Sequence, residues 1–217
     1  EARKFKKLDP KRIRELEAVL PDKPKGFGNP ISDRASWDKL RERPELKKPQ
    51  ADAELYLKRP FPKWNEDAYF EFSKSGRRGE GQDMMGARYA FLAPLVWAEC
   101  CENKGRFVAK INEVLQELAD QPAWCLPAHD AKLESYKTDK KFVDLVVSSY
   151  ANSIAHAMYL LEDRVTPETR TKLNAAFEKF VFKPMRRLYE TGEGHWWLYN
   201  TANWNSVCLA GVTGAAL

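Results

Sequence analysis

The residue types best suited to chemistry gather in two loops. The first runs from Trp124 to Tyr136 and sets His129 beside Asp130. The second runs from Gly192 to Asn205 and holds His195, Trp196, Trp197, Tyr199, Asn200, Asn203, Trp204 and Asn205. An imidazole moves protons near neutral pH, and amide donors aimed at one point stabilise charge that develops there. Indoles combine a broad apolar face with one polar N–H, so they serve equally for stacking on a flat ligand and for packing. Each residue also has a plainer role. Asn203 could cap a helix and leave Asn205 in its first turn. Three tryptophans could be packing between layers, His129 with Asp130 could anchor a loop, and His195 could lie on the surface. His156, at the edge of an apolar helix face, is expected to be a satisfied core histidine. Arg88 is a lone charge on an apolar helix, so it must find a buried partner or point into a groove where an anion could meet it.

The elements that position these loops are helical. The first 65 residues are broken by Pro21, Pro24, Gly26, Gly28, Pro30, Pro44, Pro49, Pro60 and Pro62, which allows only short helices in an irregular arm around the main body. One has Asp9 as its cap and Pro10 at its first position. Another starts near Ser36, and a third covers about 66–75. From there the pattern is regular. A nearly apolar helix over 83–103 is followed by an amphipathic one bearing Phe107, Ile111, Val114, Leu115 and Leu118. A helix over roughly 139–163 has no charge from Leu145 to Leu161, so it should be surrounded by protein. The next is capped by Thr166, carries Leu173, Phe177 and Phe180 on one stripe, and should kink at Pro184. A last uncharged helix starts near Asn203. Buried and amphipathic helices therefore alternate, as two concentric rings require. The expected fold is all-α: an incomplete (α/α) toroid over 66–217 with alternating inner and outer helices, preceded by the 1–65 arm. In such a double ring a groove forms at one end, from the loops that enter or leave inner helices.

Composition narrows the partners. The net charge of +5 sits in the arm, where residues 1–48 hold 15 Lys/Arg against 9 Asp/Glu. The remaining residues hold 21 against 22, so the candidate site region is neutral and nothing has the pattern of a nucleic-acid module. No apolar run is long enough for a membrane span. Cys100, Cys101, Cys125 and Cys208 form no CxxC pair and no metal-ligand spacing, so buried free thiols, no metal and no cofactor are expected. Nothing in the sequence sets an oligomeric state.

The stretch Asn203-Trp204-Asn205-Ser206-Val207-Cys208, followed by the small-residue helix Gly211–Leu217, resembles the heparinase II/III-like polysaccharide lyases. Trp124 with the run Leu126-Pro127-Ala128-His129-Asp130 is similar to the early toroid region of the same family. The resemblance covers about residues 82–217, is most specific over 195–217 and is weak in the arm. It implies an N-terminal α/α toroid ahead of a β-sandwich-rich part. It also implies cleavage of uronate-containing acidic polysaccharides by β-elimination, in which a base removes the proton next to the carboxylate and an acid protonates the leaving oxygen. An Asn of the family, often paired with His, neutralises that carboxylate; the matching positions are Asn203 and Asn205, with His195 near the cleaved bond. Trp196, Trp197, Tyr199, Trp204, Arg88 and His129 are then expected to bind substrate. The family's catalytic Tyr and a further His would fall beyond Leu217, so the chain is expected to be a fragment that is inactive alone. A periplasmic or secreted location follows from the substrate. Two other functions fit the same architecture: a glycoside hydrolase, which needs two groove-facing acids for which only Asp130 and Glu193 are placed, and a non-catalytic glycan-binding module.

Overall fold

A computed structural model describes residues 9–22, 26–191 and 196–217 of the chain. Among them all regular structure is helical, and no helix is long and apolar enough to cross a membrane. In chain order, the helices of the N-terminal segment are α1 (Pro10–Glu17), α2 (Arg34–Leu40), α3 (Lys47–Lys58) and α4 (Glu66–Ser75). They are followed by α5 (Gly79–Tyr89), α6 (Leu92–Glu102), α7 (Val108–Asp120), the single turn α8 (Glu134–Lys137) and α9 (Leu145–Leu161). The chain closes with α10 (Pro167–Phe177), α11 (Lys183–Thr191) and α12 (Asn203–Ala216).

Local chemistry sets most boundaries. Asp9, Asn65 and Thr166 accept a hydrogen bond from a first-turn amide of α1, α4 and α10, and Gly76 ends α4 in the left-handed conformation. The apolar helix expected over 83–103 is two helices, because Pro94 makes no bond to the carbonyl of Ala90 and its ring clashes there; the chain breaks at Ala90–Phe91. The helix expected from 139 starts at Leu145, where Asp144 caps it through Val146 N and Val147 N. In the fourth long helix a π turn, Glu178–Phe182, precedes Pro184 and widens the helix where the ring would otherwise clash. Helix α3 lies in the segment expected to hold only short helices, and its Pro49 falls in the first turn, where amides have no intrahelical partner.

The long helices run in two sets. Ser148 meets Gly211 and Asn152 meets Gly214, so α9 and α12 ascend together; a Cβ on Gly211 would lie 2.5 Å from Ser148 O. Tyr150 Oη donates to Met85 O (3.1 Å) and the Tyr150 ring stacks on Tyr89 at 4.4 Å. Farther along, Leu92, Val96 and Trp97 share a small cavity of about 180 Å³ with His156, Ala157 and Leu160, so α5–α6 also runs parallel to α9. Helices α7 and α10 return in the opposite direction and are parallel to each other. Asn112 bridges to Arg164 O and Thr166 N, Gln116 bonds Thr169, and Asp120 pairs with Lys172. Between the two sets lies the core, with Leu95, Phe107, Leu115, Leu118, Trp124, Ile154, Leu161, Leu173 and Val181 all essentially inaccessible.

The arm crosses the C-terminal ends of α6 and α9. Ile31 N donates to Leu160 O (2.7 Å), and the Arg34 guanidinium takes Cys100 O and Cys101 O at the negative end of α6. Trp37 is buried and donates from Nε1 to Asn29 O and Pro30 O. Ile31, Trp37 and Ala53 belong to the same core as the long helices. All four cysteines are free and buried, and burial pushes the Cys100 and Cys125 thiols up to about 12.

Candidate functional site

At the opposite end, where α5, α9 and α12 begin, the two loops meet. The turn Pro127–His129 is held by His129 N to Leu126 O (2.9 Å) and Asp130 N to Pro127 O (3.1 Å). Its Pro127 presses on the first turn of α5 at Gly81, where a Cβ would come within 2.6 Å of Pro127 Cγ and 2.8 Å of Ala68 O. Glycine is therefore required there for the turn to sit against α5.

The turn presents His129 to Asp144. His129 Nδ1 lies 2.6 Å from Asp144 Oδ2, which also accepts Leu126 N at 2.9 Å. Asp144 Oδ1 accepts Val146 N (2.9 Å) and Val147 N (2.7 Å), so a carboxylate 2% exposed has four donors converging on it. The His129 side chain is 18% exposed. A carboxylate on Nδ1 holds the proton there and leaves Nε2 with its lone pair in the neutral ring. Among the described residues, the buried side-chain atoms without a partner are Trp64 Nε1 and Arg164 Nε. No described group bonds His129 Nε2, and the side chain keeps part of its surface exposed.

Trp204, in the first turn of α12, meets the His129 ring edge-on at 4.7 Å, and Trp196 lies 5.0 Å from Trp204. Trp196 is 55% exposed and Trp204 half-buried, so together they offer an open aromatic surface beside the imidazole. Trp197 does not join them. Its ring is 1% exposed and its Nε1 donates to Val143 O (2.8 Å), so the expectation that it binds substrate is corrected: it anchors the turn Trp196–Tyr199 to the segment leading into α9. Tyr199 ends that turn on the surface.

The two expected asparagines part ways. Asn203 is exposed at the first position of α12 and does not cap it; Ala202 is the capping residue, its N–H donating to Asn200 Oδ1. Asn205 Nδ2 donates to Trp197 O (3.3 Å) and Leu198 O (3.1 Å), tying the aromatic turn to the helix. The expected role of His195 falls outside the described residues, as does the acid Glu193.

Arg88 is corrected as well. It is 1% exposed on the face of α5 toward α7, donating to Pro62 O, Gln121 Oε1 (3.3 Å), Glu117 O (2.9 Å) and the Glu117 carboxylate (3.4 Å). Its guanidinium also covers the Phe61 ring at 4.6 Å. Of the two outcomes open to a lone buried charge it takes the protein partners, because the carbonyls of the segment before α4 and of the last turn of α7 converge on it. Asp130 is buried too, with both oxygens bonded to Ser135 N and Tyr136 N; burial raises its pKa against the opposing pull of those amides. His156 lies at the far end, where Nε2 meets Phe27 O at 2.6 Å beside a cavity of about 970 Å³.

The partner missed in the sequence is Asp144. Its signal was present: an Asp directly before the uncharged run Leu145–Leu161 is a helix cap. No group of three His, Cys, Asp or Glu among the described residues gathers into a metal site. Compared with models of known protein families and with curated proteins, the chain matches none.

Proposed function

We propose that the chain forms the toroidal part of a polysaccharide lyase-like enzyme, which cleaves a uronate-containing acidic glycan by β-elimination. The observation that carries this is the partly exposed His129, held by Asp144 beside Trp204 and Trp196, at the end where three parallel helices begin. Parallel inner helices with parallel outer returns are the arrangement an (α/α) toroid repeats around its ring, and the order of α5–α6, α7, α9, α10 and α12 supports that reading. Sugar faces stack on exposed indoles, and Trp196 with Trp204 offers such a surface. The positive ends of the helix dipoles meet there. Asp144 occupies the first amides of α9, whereas no side chain caps α12, so its first amides at Asn203 and Trp204, with the exposed Asn203 side chain, would face a sugar carboxylate. Offsetting that carboxylate is what makes the neighbouring C–H acidic enough to lose its proton. Because Asp130 is buried with both oxygens bonded, a pair of groove-facing acids for glycoside hydrolysis is not supported. A substrate of this class places the protein in the periplasm or outside the cell.

The test is to mix the full-length protein with heparin, heparan sulfate, chondroitin sulfate and alginate and follow the ultraviolet absorbance of unsaturated uronate. A rise with one polymer is expected. Silence on all of them, with tight glycan binding, would replace the enzyme by a glycan-binding module; silence without binding would remove the glycan reading altogether.

A further inference from the structure

In the sequence His129 stands beside Asp130, a pair that could anchor a loop. The structure replaces that partner with Asp144, and the change alters what the imidazole can do. Asp130 spends both oxygens on the amides of Ser135 and Tyr136. Asp144 instead presents Oδ2 to His129 Nδ1, and is itself fixed by Leu126 N, Val146 N and Val147 N. A carboxylate held by three backbone amides cannot swing away, so it fixes both the ring plane and the tautomer. A loop anchor has no need of an open second nitrogen. Here no described group bonds Nε2, and the partly exposed ring lies against Trp204, which in turn meets the exposed Trp196.

We propose that His129 is the proton-accepting residue of this site and that Asp144 is its positioning residue, an assignment that rests on the lyase reading above. The neutral Nε2 takes the proton from the uronate carbon next to the carboxylate. The C–H electron pair becomes the new C=C bond, and the adjacent C–O bond breaks with its pair on the leaving oxygen. That oxygen takes a proton from solvent, and imidazolium Nε2–H returns its own to solvent. Asp144 keeps its negative charge throughout and faces the cation formed at His129.

The experiment compares wild-type, H129Q, H129A and D144N full-length protein on the polymer that wild type eliminates, with melting curves for each. We expect kcat of H129Q and H129A to fall by about a hundredfold or more with KM little changed. Added imidazole should return part of the activity to H129A and none to D144N, whose amide turns the ring tautomer and protonates Nε2. H129Q within about threefold of wild type overturns the assignment alone. Loss in H129A without imidazole rescue, in a protein that melts like wild type, gives His129 a structural part and also overturns it. Wild type that eliminates no polymer overturns the lyase reading and this assignment together.

Discussion

Trp196 and Trp197 are adjacent in the chain and face opposite conditions. Trp197 seats its N–H on Val143 O inside the protein, whereas more than half of Trp196 is open to solvent beside Trp204. Truncating a buried indole leaves a cavity and an unpaired carbonyl, so W197A should lose about 3–5 kcal/mol of stability, read by urea unfolding. The change W196A removes an exposed face and should leave the unfolding midpoint near wild type while weakening glycan binding, read by fluorescence titration. If W196A unfolds as readily as W197A, the open aromatic surface is packing and the stacking role is lost. Neither residue's part was visible in the sequence, where both are indoles in one polar loop; only the position of Val143 O separates them. The link between His129 and Asp144 spans 15 residues and belongs to the tertiary structure. Arg88 was legible as a charge in need of partners, but Pro62, Glu117 and Gln121 come from distant parts of the chain.

Helices α9 and α12 hold the two halves of the site in register, and glycine sets their separation. Gly211 packs on the Ser148 carbonyl so closely that a Cβ would collide with backbone, which cannot move aside as a side-chain end can. G211V should push the N-terminal turn of α12, with Trp204, away from His129. It should cost about 1–3 kcal/mol of stability and weaken glycan binding in parallel. Gly86 is the control: it lies within α5, and a Cβ there meets nothing within 4 Å, so G86A should stabilise the protein by up to about 1 kcal/mol. Equal losses from both would mean that α9 and α12 are not in close contact. The alternation of apolar and amphipathic helices was legible because burial writes itself into periodicity, and the caps at Asp9 and Thr166 were legible because capping chemistry is local. The break at Ala90–Phe91 was not, although Pro94 was in plain view; the carbonyl it disturbs lies four positions earlier in the chain. Helix α3 was hidden by Pro49, read as a breaker where a first turn tolerates it.

The two ends of the long helices carry different duties in the molecule as a whole. At the N-terminal end Trp204 and the exposed Trp196 stand beside His129, while at the C-terminal end the arm is stitched down. Ile31 N reaches Leu160 O, Arg34 satisfies the last carbonyls of α6, and Trp37 packs edge-on against Trp97 at 5.6 Å. An arm that only wrapped the surface would melt first and leave the body intact. Trp37 is buried in the same core as Leu95 and Ile154, so the arm and the long helices should unfold together. W37A is expected to lower the single unfolding midpoint, with far-UV and near-UV signals moving as one, by the several kcal/mol that a truncated buried indole costs, about 3–5. A variant that showed an early, partial loss of near-UV signal followed by an unshifted main transition would instead make the arm a separable unit. Because Trp37 lies at the opposite end from His129, W37A should bind glycan as wild type does wherever it remains folded. The same substitution thereby distinguishes a site built locally at the helix N-termini from one that depends on the arm.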